Sequence, residues 1–311
     1  ADAEKHAERK RERRLRKQEK LEAKQKGTGN PAGAAKNKHK DERREKASTS
    51  TRIKWADLPV AGRTDRGVSA IGQVCRFRTH RKDLTVTAIH DYLADQIRTT
   101  PRMTDSLDIT EIAKVSRSFH PTFSTCSRAY VYLIDVAAER ESESERNERM
   151  TGFWNPNRVE QQVAFLDGML QQLEGKALDY VGVSYGKVKT LDTICILHHA
   201  RAKLVQYEPS SSSSLSSEGN QPANRTAVCI ELVGDRFLRR MVRLLVEASL
   251  RLLALAEQKT SGASGTVESE ASRDALLELI EKRNRTIVGR PAPPDGLIFV
   301  GARLPSAQQT Q

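Results

Sequence analysis

The sequence predicts an α+β fold in which two similar halves, roughly residues 53–136 and 150–304, build a sheet covered by helices on one face. Two observations carry this reading. Segments with strand-like alternation take turns with segments of helical spacing in both halves. Arg236–Leu255 is the longest apolar helical pattern of the chain and lies in the second half.

The elements follow in order. Val68–Phe77 reads as a strand, and Thr85–Gln96 as a helix with Ile89, Leu93 and Ile97 on one side. Asp108–Val115 and Arg128–Val136 read as strands, the second alternating through Tyr130, Tyr132, Ile134 and Val136. Val159–Glu174 is an amphipathic helix, with Val163, Leu166, Leu170 and Leu173 three or four residues apart. Thr193–Val205 and Thr226–Val233 are strands, and Gly234–Asp235 turns the second into the helix Arg236–Leu255. A short helix, Arg273–Lys282, precedes a proline-rich turn, Pro291–Gly296, and a last strand, Leu297–Ala302.

The remaining segments are connectors. Residues 1–50 form a basic tail whose composition suits a solvated or disordered arm, with a Gly/Pro/Ala/Lys linker over 27–50 and folding expected to start near Ile53. Glu139–Arg149 is charged. Pro209–Asn224 is serine-rich, and Lys259–Ser269 is a second flexible insertion.

Charge points to polyanions. The chain of 311 residues has 52 Lys+Arg against 40 Asp+Glu, a net charge of +12. Residues 1–50 hold 17 basic and 9 acidic side chains, so +8 of that charge belongs to the tail and +4 to the rest. Such a balance attracts nucleic acid or an anionic surface. No apolar run approaches the roughly 20 residues that span a bilayer, so no membrane partner is expected. The four cysteines are far apart and form no C-x-x-C pair, and His198 and His199 fall on opposite faces of a strand. Neither set suits a metal, and the thiols read as reduced. An intracellular place is expected, nucleus or cytoplasm before mitochondrion.

One segment carries the chemistry. Residues 61–74 read Ala-Gly-Arg-Thr-Asp-Arg-Gly-Val-Ser-Ala-Ile-Gly-Gln-Val. A single acid, Asp65, stands in a polar turn between Gly62 and Gly67, flanked by Arg63 and Arg66. A carboxylate among arginines beside a strand suits a substrate that is both anionic and chemically attacked. Turn residues alone favour the plainer reading, in which Asp65 caps the turn and the arginines are solvated.

Four stretches in order reverse that preference. Gly62–Ala70 resembles Gly-Arg-Thr-Asp-x-Gly-Val-His/Ser-Ala, the active-site motif of the TruA family of tRNA pseudouridine synthases. Ser118–Tyr132 resembles the family's Phe-x-Ala-Arg-x-Ser-x-x-x-Arg-x-Tyr-x-Tyr, with Thr122 where the family has arginine. Gly234–Arg243 resembles Gly-x-x-Phe-Leu-x-x-Met-Val-Arg, and Ala292–Val300 resembles the closing Ala-x-x-x-Gly-Leu segment.

The resemblance implies a mixed, largely antiparallel sheet with an RNA-binding catalytic cleft on the face opposite the helices. It implies that Asp65 attacks a uridine of the tRNA anticodon stem-loop, that Arg243 pairs with Asp65, and that Tyr130 lies against the base. Leu297 packs on the uracil in this reading. Arg63 and Arg66 bind substrate, and Arg239 and Arg240 are phosphate contacts or solvated charge. No cofactor or metal is needed. Ser69 and the pattern Phe123-Ser124-x-Cys126 look like the eukaryotic branch that acts on the 3′ side of the anticodon loop. Two departures stand out: the family's first strand has no counterpart before residue 61, and its Asp-Phe-x-x-Phe segment appears as Leu178–Ser184. They raise an alternative, a weak or inactive member serving as an RNA-binding or assembly factor, and a homodimer or partner that completes the sheet.

Overall fold

The computed structural model describes residues 58–79, 81–136, 154–155, 157–186, 192–208, 225–260, 273–283, 285 and 288–305, all within a unit that spans 56–311. The expectations for the basic tail 1–50, the start near Ile53, the connector 139–149, the serine-rich loop 209–224 and most of the insertion 259–269 lie outside the described residues.

The elements run β1 (Ser69–Ala70), α1 (Val86–Thr99), β2 (Ser127–Asp135), α2 (Val159–Gln171), β3 (Ala177–Asp179), β4 (Ile194–Tyr207), β5 (Arg225–Gly234), α3 (Met241–Thr260), α4 (Ala275–Glu281) and β6 (Leu297–Arg303). They build one mixed α+β sheet in the order β1-β6-β2-β5-β4-β3. All pairings are antiparallel except that of β1 with β6.

β2 holds the centre. Its alternating residues Tyr130, Tyr132 and Ile134 stand opposite Leu232, Ile230 and Val228 of β5, and all six are buried. Strand partners in register share a face, so this is the apolar side. α2 covers it with Val163, Leu166, Met169 and Leu170, and α3 with Met241, Leu244, Leu245 and Ala248. At ~0.8 kcal/mol per buried CH₂, this layer is the main source of stability.

The open edge of β4 is closed from the side. The N–H of Ala200 donates to Glu174 Oε1 at 2.7 Å and that of Ala202 to Asp167 Oδ1 at 2.8 Å. Two carboxylates on and just past α2 thus take the place of a neighbouring strand.

Three sequence expectations are corrected. The strand expected over Val68–Phe77 shrinks to Ser69–Ala70, which pairs only with Ile298 and Phe299, plus a lone bridge from Val60 to Cys75. No strand forms over Asp108–Val115. Alternation supplies a suitable surface, but a strand also needs a ladder partner, and none lies beside this segment among the described residues. The long helix begins at Met241 rather than Arg236, because Arg240 adopts φ 57° and breaks the helical run. The helix expected from Thr85 forms as α1, capped by Thr85 Oγ1 accepting from Ala88 N–H. Its apolar stripe Ile89, Leu93 and Ile97 is half-buried, and no residue of α1 is fully buried.

Candidate active site

The loop 61–67 is held down at its start. Ala61 N–H donates to Val74 O at 2.8 Å, and the side chain of Gln73 donates to Gly62 O at 2.7 Å. A Cβ at Gly62 would lie 2.9 Å from the Phe299 ring and 3.1 Å from the Tyr130 hydroxyl, so only glycine lets the backbone approach both rings this closely. Gly67 closes the turn with φ +86°. Between the two glycines the chain presents Arg63, Asp65 and Arg66.

Asp65 meets the start of α3. Its Oδ2 accepts from Arg243 Nη1 at 2.8 Å and lies 3.3 Å from Arg240 Nε. Arg243 is in turn fixed at both ends. Its Nε donates to Ala292 O at 2.6 Å, and its own carbonyl accepts from Ala292 N–H at 3.1 Å. The proline-rich turn therefore aims the guanidinium, and Tyr132 anchors that turn through its hydroxyl, which donates to Pro293 O at 2.9 Å. The side chain of Arg243 is 11% exposed and that of Asp65 31%. The acid is the open member of the pair, the one a ligand can reach.

Tyr130 lies on the helix-bearing side of the sheet. Its ring makes an edge contact with Phe237 and a tilted one with Phe299, each with centroids 5.0 Å apart. Burial pushes its hydroxyl up to about 12, with Asp65 adding to the rise and Arg128 opposing it. The phenol is neutral at pH 7. At 7% exposure the ring is enclosed, so the flat face expected for a base is covered in this conformation. Leu297 is likewise buried in the core on that side. Asp65, Arg240 and Arg243 are gathered where the loop meets the start of α3.

The arginines divide. Arg63 and Arg66 are exposed, and among the described residues they form no hydrogen bond or ion pair. Arg239 is exposed, with its guanidinium carbon 5.4 Å from the Tyr185 ring centroid. Arg240 is turned inward: its guanidinium carbon sits 4.0 Å over the same ring while its Nε faces Asp65. Thr122, at the position where the family pattern has arginine, donates to Val60 O at 2.6 Å and so supports the loop from below.

Arg128 is the residue that the sequence reading passed over. Its Nε donates to Ala61 O at 2.8 Å, Nη1 to Asp235 O at 2.8 Å and Nη2 to Thr122 O at 2.7 Å. One guanidinium ties the loop of Asp65 to the approach of α3 and to the 118–126 loop. Burial lowers its pKa, and nearby Tyr130 and Asp235 offset part of that fall. Two signals were available: Arg128 falls on the second arginine of the Phe-x-Ala-Arg-x-Ser-x-x-x-Arg-x-Tyr-x-Tyr pattern, and its alternation with Tyr130 and Tyr132 puts a charge on the side of two tyrosines.

One other cluster completes the picture. His199 lies beside a register shift in β4 and contacts Glu231 at 3.2 Å and Glu174 at 3.6 Å. Among the described residues no group of three or more His, Cys, Asp or Glu is placed to hold a metal ion, and no helix is long and apolar enough to cross a membrane.

The chain is similar to curated proteins that share one name. The tRNA pseudouridine synthase A of Leptospira biflexa (strain Patoc 1 / Ames) is 29% identical over 245 residues, 79% of this chain and 76% of that protein. That of Stenotrophomonas maltophilia (strain K279a) is 29% identical over 255 residues, 80% and 81% of the two chains. That of Hydrogenovibrio crunogenus is 27% identical over 260 residues, 81% and 80%. These relatives support kinship with the TruA family of isomerases. No family model matches the chain.

Proposed function

We propose that this chain is a tRNA pseudouridine synthase that isomerises a uridine of the anticodon stem-loop, with Asp65 as nucleophile. The observation that carries the reading is the 2.8 Å pair between Asp65 and Arg243, two residues from separate matching stretches 178 positions apart. A directed guanidinium fixes the aim of the carboxylate. Kinship with proteins named tRNA pseudouridine synthase A supports the substrate class.

The resemblance implies the chemistry, and the geometry supports the choice of attacking oxygen. Oδ2 is occupied by arginine, and Oδ1 accepts no hydrogen bond among the described residues. Oδ1 is thus the oxygen with lone pairs to donate. It attacks the nucleoside at uracil C6 or ribose C1′, and the N1–C1′ bond breaks. The uracil turns, C5 bonds to C1′ and the bond from Asp65 Oδ1 breaks, which frees the carboxylate; C5 then loses its hydrogen as a proton, and N1 takes one up. No atom is gained or lost. Arg63 and Arg66, exposed beside the acid, contact the phosphates that flank the flipped nucleotide. Ser69 and Phe123–Cys126 support the branch that acts on the 3′ side of the anticodon loop.

Pseudouridine mapping of cellular tRNA tests the reading. Cells lacking the protein lose pseudouridine at anticodon-arm positions, and re-expression restores it. Unchanged maps overturn the proposed substrate.

A further inference from the structure

We propose that Tyr185 and Arg240 form a positioning pair that aims the Asp65 carboxylate; the inference rests on the isomerase reading above. Arg240 bears φ 57°. That left-handed conformation is sterically unfavourable for a non-glycine residue. Glycine or asparagine normally fills such a position, and strain of this kind gathers where a side chain is required for function. The bend lets Arg240 reach Oδ2 of Asp65 from just before the helix, at 3.3 Å, while Arg243 reaches the same oxygen from the first turn, at 2.8 Å.

The two contacts differ in kind. Arg243 makes an aligned hydrogen bond, whereas Arg240 Nε is buried and makes none. Its ion pair lacks directional hold, so something else must place the guanidinium. That something is the Tyr185 ring, 4.0 Å below it. A cation over a π-face is attracted by the ring quadrupole. The ring is itself pinned, because Tyr185 N–H donates to Arg239 O at 2.9 Å and Gly186 turns the chain away with φ +76°. Tyr185 is 41% exposed and outside the core cluster, so packing does not account for an aromatic here. Two arginines on Oδ2 leave Oδ1 as the attacking oxygen and stop the carboxylate from rotating between them.

The test uses the full chain and a tRNA transcript carrying tritium at uridine C5, which the rearrangement releases to water. Single-turnover rate and tRNA Kd are measured separately. Arg240→Gly, which accepts the backbone without strain, lowers the rate at least tenfold and shifts Kd less than about threefold. Tyr185→Leu lowers the rate about tenfold, while Tyr185→Phe, which keeps the ring, stays within about twofold of the parent. Because Tyr185 acts through Arg240, the double variant Tyr185→Leu/Arg240→Gly is no slower than Arg240→Gly alone. A loss of affinity with an unchanged rate would make Arg240 a phosphate contact, and multiplying rate losses would make Tyr185 independent; either overturns the pair. Asp65→Ala in the same assay separates the two levels. If it stays active, the isomerase reading fails. If it is dead and Arg240→Gly keeps the parental rate, only the positioning pair fails. Melting midpoints repeat the cycle without turnover: the two single shifts do not add, and additive shifts overturn the pair.

Discussion

Replacing Arg128 with methionine keeps most of the side-chain stem and removes three donors at once. Each donor binds a backbone carbonyl, at 2.8, 2.8 and 2.7 Å. Hydrogen bonds from a charged group contribute ~1.5–3 kcal/mol each. Arg128 is partly open to water, which replaces some of what is lost, so a discounted figure of about 1 kcal/mol per bond, below that range, applies. The sum, ~3 kcal/mol, lowers the melting midpoint of a domain of this size by roughly 6–12 °C. Function suffers more than stability, because the three carbonyls belong to the segment leading to Asp65, the approach of α3 and the 118–126 loop. The single-turnover rate falls at least tenfold while tRNA affinity changes little. Arg128→Lys keeps the charge but offers a point donor without the planar fork, and it falls between the two. Differential scanning calorimetry with the tritium-release assay measures both effects. A methionine variant that melts within about 2 °C of the parent and turns over normally would refute the argument that this guanidinium holds the site together.

Other outcomes follow from the same geometry. Asp65→Ala abolishes tritium release with tRNA affinity nearly intact, since the acid is the sole carboxylate of the loop; full activity in this variant would end the nucleophile assignment. Deleting residues 1–50 removes +8 of charge and makes log K for tRNA fall less steeply with log salt; an unchanged slope assigns the tail another role. Burial raises the Tyr130 hydroxyl from 10.0 to about 12. Its stabilising contribution is therefore present below pH about 10 and is lost as pH rises through 12, by about 3 kcal/mol at most. Tyr130→Phe flattens alkaline unfolding between these values, and an identical pH curve for the variant would show that another group governs the transition.

The legible parts of the fold are those with their own periodicity. β2, β5, β6 and α2 form where alternation or helical spacing places them, because each has a face that fits a neighbour already present. The segments 68–77 and 108–115 alternate as well, but hydrogen-bonding partners decide strands, and partners are not written locally. The start of α3 was hidden for a different reason: Arg236–Arg240 has good helix formers, and tertiary placement of Arg240 overrides them. At the site, Asp65 and Arg243 were legible through motif resemblance. Arg128 stood in a matching motif and in strand parity, but neither signal says which carbonyls its guanidinium ties together. The contact of Tyr185 with Arg240 joins residues 55 positions apart with no shared motif, and only folding reveals it.

The carboxylates beside β4 also bear on how the molecule behaves in a crowd. A bare strand edge is a template on which another chain can crystallise its own backbone, and repeated addition builds filaments. Here the N–H groups of Ala200 and Ala202 already spend their donors on Glu174 and Asp167, and an incoming strand would have to displace two acids and bring its own carbonyls toward negative charge. That flank of the sheet is chemically terminated. Asparagine or glutamine at 167 and 174 would keep the shape and remove the repulsion, turning a blunt end into a sticky one.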